Sequence, residues 1–264
     1  KILPAVATGN TVIVKPSPYT PLTTLKLGEL IRDIFPPGVI NIITGDNAVG
    51  QQLTEHPDIA KITLTGSVAT GKKVMAAGAM SNLKSVTLEL GGNDPAIVMP
   101  DVDLQSVLPR LFWYSFLNTG QVCISIKRLY VHADIYDAVC EGMVAMAEQV
   151  VVGDGMREGV MLGPVQNKMQ FDKLVAYINS VEPDGGRFLC GGHVPKGKGY
   201  FLPVSIAVDL PDDATLVKEE PFGPILPILK FTDTDDVIQR ANDSPLGLGA
   251  SVWSADVDEA LRIA

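Results

Sequence analysis

Short β-rich apolar runs alternate with stretches of helical periodicity through the first third of the chain. Residues 11–15, Thr-Val-Ile-Val-Lys, form a nearly continuous apolar run of the kind a buried parallel strand shows. Pro16, Pro18 and Pro21 break the chain, and apolar residues then recur at helical spacing over 22–34 until Pro36-Pro37-Gly38. The same reading gives strands at 39–43, 61–64 and 85–90, and helices at 48–53 and 68–79. Repeated strand–helix units imply right-handed βαβ crossovers and a parallel sheet, hence an α/β fold.

Gly91-Gly92 punctuates this pattern and marks the expected domain boundary, giving 1–91 and 92–264. Beyond it, 104–117 reads as a buried helix carrying Phe112, Trp113 and Phe116. These rings are either core residues at helical spacing or part of a substrate channel. A strand at 128–131, helices at 135–152 and 171–180, and segments at 225–231, 237–241, 249–253 and 257–263 complete the reading.

Composition removes several classes of function. With 264 residues, 46% of them hydrophobic, the chain can bury a sizeable core without disulfide staples. A formal charge of −9 argues against nucleic acid, which needs a basic surface. No apolar run approaches the ~18 residues of a membrane span, and no leader is visible. Cys123, Cys140 and Cys190 cannot all pair, and no CxxC or HxxxH spacing offers a metal site. Free thiols in a reducing, cytoplasmic compartment are expected. The chain begins Lys1-Ile2-Leu3-Pro4 without Met and stops inside an apparent helix, so a fragment of a longer protein is expected.

Four segments could carry chemistry. Thr65-Gly66-Ser67, with Gly71 further on, follows a strand and opens a helix, where free N–H groups suit a phosphate. Ser67 is equally well placed as an ordinary N-cap, and GxGxxG is absent. Leu88-Glu89-Leu90 puts one carboxylate at the end of an apolar strand, where partial desolvation would suit a general base. A Glu turned to solvent is the commoner outcome. In Asn118-Thr119-Gly120-Gln121-Val122-Cys123 a thiol just after a Gly turn is open to activation as thiolate, or is a buried structural Cys. Glu219-Glu220-Pro221-Phe222-Gly223-Pro224 is either an acidic loop or a clamp with a carboxylate for a sugar hydroxyl and a ring for a flat cofactor.

Taken in order, these motifs resemble the NAD(P)-dependent aldehyde dehydrogenase superfamily. Ala7-Thr8-Gly9-Asn10 leading to Val14-Lys15-Pro16, then Pro36-Pro37-Gly38-Val39, Thr65-Gly66-Ser67, Leu88-Glu89-Leu90-Gly91-Gly92, Gly120-Gln121-Val122-Cys123 and the Glu219–Pro224 segment follow the family order. The resemblance implies a Rossmann-type cofactor domain followed by an α/β catalytic domain, both truncated. It implies Cys123 as nucleophile and Glu89 as general base. It places Lys15 at the adenine-side ribose, Gly66, Ser67 and Gly71 at the pyrophosphate, Glu220 at the nicotinamide ribose and Phe222 beside the nicotinamide. Gln170 and Lys173 match weaker cofactor-side contacts. The implied reaction adds the thiolate to an aldehyde, passes hydride from the thiohemiacetal to NAD(P)+ and hydrolyses the thioester to an acid.

Two departures from the family carry consequences. Most NAD-preferring members have a Glu three positions after the Lys15 equivalent; here that position is Pro18. Without that carboxylate a 2′-phosphate is not repelled, so NADP+ is expected to be tolerated, with Lys15 and Ser17 as phosphate partners. The family's oxyanion-stabilising Asn lies upstream of Lys1, and losing one such donor costs ~10²–10³ in rate. The isolated piece is therefore expected to have little activity, while the full-length form is expected to be a homo-oligomer acting on a small aldehyde. Competing readings are a cofactor-independent thiol esterase and an inactive fragment or pseudoenzyme.

Overall fold

Val86 and Leu88 point to one side of the last strand before Gly91, and Thr87 and Glu89 to the other; the first pair is partly buried and the second exposed. This period-two pattern runs through the short strands of the first unit. A computed structural model describes residues 1–264, which divide into two units, Lys1–Leu90 and Gly91–Ala264.

The first unit runs α1 (Ile2–Ala7), β1 (Val12–Val14), α2 (Leu22–Ile31), β2 (Ile40–Ile42), α3 (Asn47–Glu55), β3 (Lys61–Thr65), α4 (Val68–Ser81) and β4 (Ser85–Glu89). All its pairing is parallel, as the strand–helix alternation requires. The strands form two separate pairs, β1–β2 and β3–β4, rather than the single sheet expected. Nor is β1 buried on both faces, since Ile13 is 46% exposed. Each pair has a free edge, and an apolar run such as Val-Ile-Val reports β-propensity as much as burial. The helix expected to reach residue 34 ends at Ile31, ahead of Pro36 and Pro37. Caps fix the helix starts: Asp46 accepts from Ala48 N at α3, and Ser67 from Thr70 N at α4.

The second unit runs β5 (Pro95–Val98), α5 (Leu104–Phe116), a 3-10 turn (Leu117–Gly120), β6 (Arg128–His132), a 3-10 turn (Ala133–Ile135), α6 (Tyr136–Glu148), α7 (Lys168–Ser180), β7 (Arg187–Cys190), β8 (Ser205–Val208), α8 (Thr215–Lys218), β9 (Ile225–Phe231), α9 (Thr234–Asn242), β10 (Ser251–Trp253) and α10 (Val257–Ile263). Its sheet has the order β10-β5-β6-β9-β8-β7, parallel except for the β7–β8 pair. The helix expected over 135–152 is shorter because Ile135 belongs to the 3-10 turn and residues 151–153 leave the helix to pair with Met161 and Leu162.

Alternate residues of the sheet feed two cores. Ala96, Val98, Leu129, Val131, Ile206 and Ile228 pack with α5 and α6. Ile97, Tyr130, Ala207 and Leu229 pack with α7, α9 and α10. Phe112 and Phe116 are buried in the first of these cores, with Trp113 edge-on to Phe112, so these rings pack the interior. No helix is long and apolar enough to cross a membrane.

Candidate active site

In the first unit, Lys15 follows β1 half-buried, and its Nζ donates to the carbonyls of Pro16 (2.9 Å) and Gly45 (3.1 Å). Ser17 and Pro18 are exposed, and Ser17 Oγ accepts from Tyr19 N. Between β3 and α4, Gly66 N donates to the Glu89 carbonyl, and Ser67 caps the helix through Thr70 N at 3.2 Å. The cap uses the Ser67 hydroxyl yet leaves early N–H groups of the 14-residue α4 without helical partners. Gly71 is buried against β4, where a Cβ would lie 2.8 Å from Leu90 Cδ2. The absence of a side chain at Gly71 therefore lets α4 pack closely on Leu90. Glu89 is exposed on the polar face of β4, so the expected desolvation is absent.

In the second unit, Cys123 stands after a contorted turn. Asn118, Thr119 and Gly120 are consecutively left-handed, with φ of 52°, 61° and 69°. For the two non-glycine residues this costs roughly 1–3 kcal/mol each. Side chains hold the turn: Asn118 Nδ2 donates to the Gln121 carbonyl, Thr119 Oγ1 to the Gly163 carbonyl, and Gln121 Nε2 to the Pro164 carbonyl. Cys123 itself is half-buried. The other thiols are of a different kind. Burial pushes Cys140 up to about 11 and raises Cys190 as well.

The Glu219–Pro224 segment folds over this turn. Gly120 lies against the backbone of Gly223, so close that a Cβ would come within 2.7 Å of the Gly223 carbonyl carbon. Glu220 leans on Gly91, where a Cβ would lie 2.8 Å from its carboxyl carbon. Its Oε1 is buried without a partner. Burial holds the Glu220 carboxyl above its usual range, opposed by the Lys127 charge. From α7, Tyr177 OH donates to Glu219 at 2.8 Å, Lys173 pairs with Glu219 at 3.5 Å, and Gln170 Nε2 donates to the Phe222 carbonyl at 3.1 Å. Gln170 and Lys173 therefore hold the loop that bears Glu220 and Phe222.

Two members of this arrangement carry little signal in the sequence. Lys127 is 2% exposed, with Nζ 2.6 Å from the Gly120 carbonyl and 5.1 Å from the Phe222 ring centroid. Its signal was a lysine four places after the thiol, in a run that leads into a buried strand. Tyr177 lies within the helical run 171–180, whose periodicity gives no sign of a role for its hydroxyl.

A bound dinucleotide can be tested against these residues. Glu220 Oε1 is a buried acceptor lacking a donor, set where glycine removes any side chain. That fits a ribose hydroxyl, which can donate to it.

Comparison with known proteins gives a consistent picture. The model of the aldehyde dehydrogenase family matches residues 1–264. A probable aldehyde dehydrogenase of Pseudomonas sp is 50% identical over 224 residues, covering 84% of this chain and 46% of that protein. A betaine aldehyde dehydrogenase of Brucella anthropi is 41% identical over 268 residues, covering 100% of this chain and 55% of that protein. Among solved structures, an E. coli NADP dependent enzyme superposes with TM-score 0.96 at 38% identity, covering 100% of this chain and 55% of that one. The chain spans about half the length of the curated relatives it matches.

Proposed function

The chain belongs to the aldehyde dehydrogenase family, and on that premise we propose that it oxidises an aldehyde to a carboxylic acid with Cys123 as the nucleophile. The carrying observation is the docking of the Cys123 turn on the loop that bears Glu220, whose Oε1 is buried and unpartnered. Cys123 adds to the carbonyl carbon and holds it first as a thiohemiacetal and then as a thioester, which splits one hard step into two. NAD(P)+, when bound, supplies the hydride acceptor. Glu89 takes the proton of the water that hydrolyses the thioester, and its exposure leaves it open to that water.

Residues 1–91 supply the adenine-side contacts: Lys15 and Ser17 near the ribose, and the Gly66-Ser67 turn at the pyrophosphate. Residues 92–264 supply the thiol and the nicotinamide-side contacts of Glu220 and Phe222. An exposed Pro18 offers no carboxylate against a 2′-phosphate, so NADP+ is accepted alongside NAD+. Three free thiols suit a reducing compartment such as the cytoplasm.

The test is reduced-cofactor formation from an aldehyde panel by the wild type and by Cys123→Ser, with NAD+ and with NADP+. Cys123→Ser should lose at least ~10³ in rate. Unchanged activity in Cys123→Ser refutes the assignment. Ester hydrolysis without nicotinamide and without aldehyde oxidation supports a thiol esterase instead. Rejection of NADP+ by ~300-fold or more, about 3.4 kcal/mol, refutes the dual cofactor reading.

A further inference from the structure

Lys127 stands out among the buried charges of the second unit. Arg128 beside it satisfies its guanidinium with the carbonyls of Asn93, Arg240 and Ala241 and with Tyr130. Lys127 makes only two hydrogen bonds, to Gly120 O (2.6 Å) and Pro221 O (3.4 Å), so one of its three N–H groups lacks an acceptor in the protein. Those carbonyls belong to the thiol turn and to the Glu220 loop. Holding two loops together does not require a charge, because apolar packing of the same volume is usually at least as stable as a buried ion. A buried ammonium at a reactive centre therefore points to electrostatics as well as geometry.

We propose that Lys127 is a positioning residue that fastens the Cys123 turn to the Glu220–Phe222 loop and holds a positive charge on the turn that carries the thiol. The inference rests on Cys123 being the nucleophile. Three groups act on the ammonium: Glu220 from the loop, Asp94 at the entrance to β5, and Cys123 from its own segment. Lys173 acts in turn on Glu220, and Arg128 on Asp94. Burial lowers Lys127 to about 8, against the attraction of these groups. The residue thus stays largely protonated at pH 7 and loses its charge in mildly alkaline solution. Its cation–π contact with Phe222 brings the same charge to the ring expected beside the nicotinamide.

The experiment follows iodoacetamide alkylation of each cysteine separately, by peptide mass spectrometry, as a function of pH. Wild type is compared with Lys127→Met, Lys127→Gln and Lys127→Arg. Lys127→Gln keeps a donor for a loop carbonyl without the charge, which guards against a Lys127→Met that fails to fold. The charge-free variants should slow Cys123 alkylation at pH 7 by about tenfold. Lys127→Arg should stay near the wild type, and Cys140 and Cys190 should keep their wild-type rates in every variant. An unchanged Cys123 alkylation rate in Lys127→Gln overturns the proposal. So does acceleration of all three thiols together, which marks a loosened fold. If Cys123 of the wild type reacts no faster than Cys140 and Cys190, the nucleophile assignment itself fails, and that result precedes any comparison with the variants.

Discussion

Gly120→Ala tests whether the thiol turn and the Glu220 loop depend on one another. Two costs add at this position. An L-residue at φ 69° pays ~1–2 kcal/mol for the left-handed conformation. The new Cβ would also lie 2.7 Å from the Gly223 carbonyl carbon, a backbone atom that no rotamer change can move aside. Separating two packed backbone segments costs ~1–3 kcal/mol, as overpacking does. The sum, roughly 2–5 kcal/mol, lowers Tm by about 5–15 °C for a unit of this size. Both tryptophans of the chain, Trp113 and Trp253, lie in the second unit, so a fluorescence melt reports that unit alone. Gly155→Ala is the control, because a Cβ there meets nothing within 4 Å and its φ is not positive. Gly120→Ala should melt well below wild type and slow Cys123 alkylation, while the control does neither. A Gly120→Ala melt within about 2 °C of wild type, with unchanged Cys123 alkylation, refutes the reasoning.

Other outcomes follow from the same geometry. Phe112→Ala removes a fully buried ring packed 4.9 Å from Phe116 and should cost ~3–5 kcal/mol in a denaturant titration. Tyr177→Phe deletes the hydroxyl on Glu219 and should cost ~1 kcal/mol, with faster amide exchange over residues 219–223. Gly91→Ala displaces the Glu220 carboxylate and should weaken NAD(P)+ binding about tenfold, by calorimetry, with little change in Tm. Lys127 has a folded pKa below its unfolded one, so between about pH 8 and 10.5 the unfolded chain binds more protons. Stability of the wild type relative to Lys127→Met should therefore rise with pH over that window, and a flat difference in urea midpoints would contradict it.

Much of the α/β pattern was legible because periodicity and punctuation agreed. Residues 61–65, 85–89 and 225–231 carry strand-type runs, and Gly91-Gly92 separates two kinds of segment. What escaped notice had physical reasons. β5 begins at Pro95, and proline reads as a breaker although the first position of a strand tolerates it. β8 is four residues long and follows Pro203, so it gives almost no periodic signal. Glu89 was expected among apolar neighbours, but the period of two turns it away from Val86 and Leu88. Lys127 is not legible in the sequence because its role depends on Pro221, a residue brought to it only by the fold. The thiol turn was readable from Gly120 alone, whereas the left-handed Thr119 was not, since a β-branched residue argues against that conformation.

The strand order of the second unit also sets a timetable for folding. Ser251 pairs with Ala96, and Leu129 with Ile228, so the centre and one edge of the sheet join residues from opposite ends of this unit. Loop closure over such separations must come before the contacts that reward it, which makes folding slower than for a fold built on local contacts. During synthesis, β5 and β6 emerge long before β9 and β10 can meet them. Over that interval the apolar faces of Ala96–Val98 and Leu129–Val131 stand open, and the thiol turn between them has neither the Pro221 carbonyl nor Gly223 to lean on. The Cys123 turn is therefore among the last parts of the unit to take shape, after the chain that will restrain it has arrived.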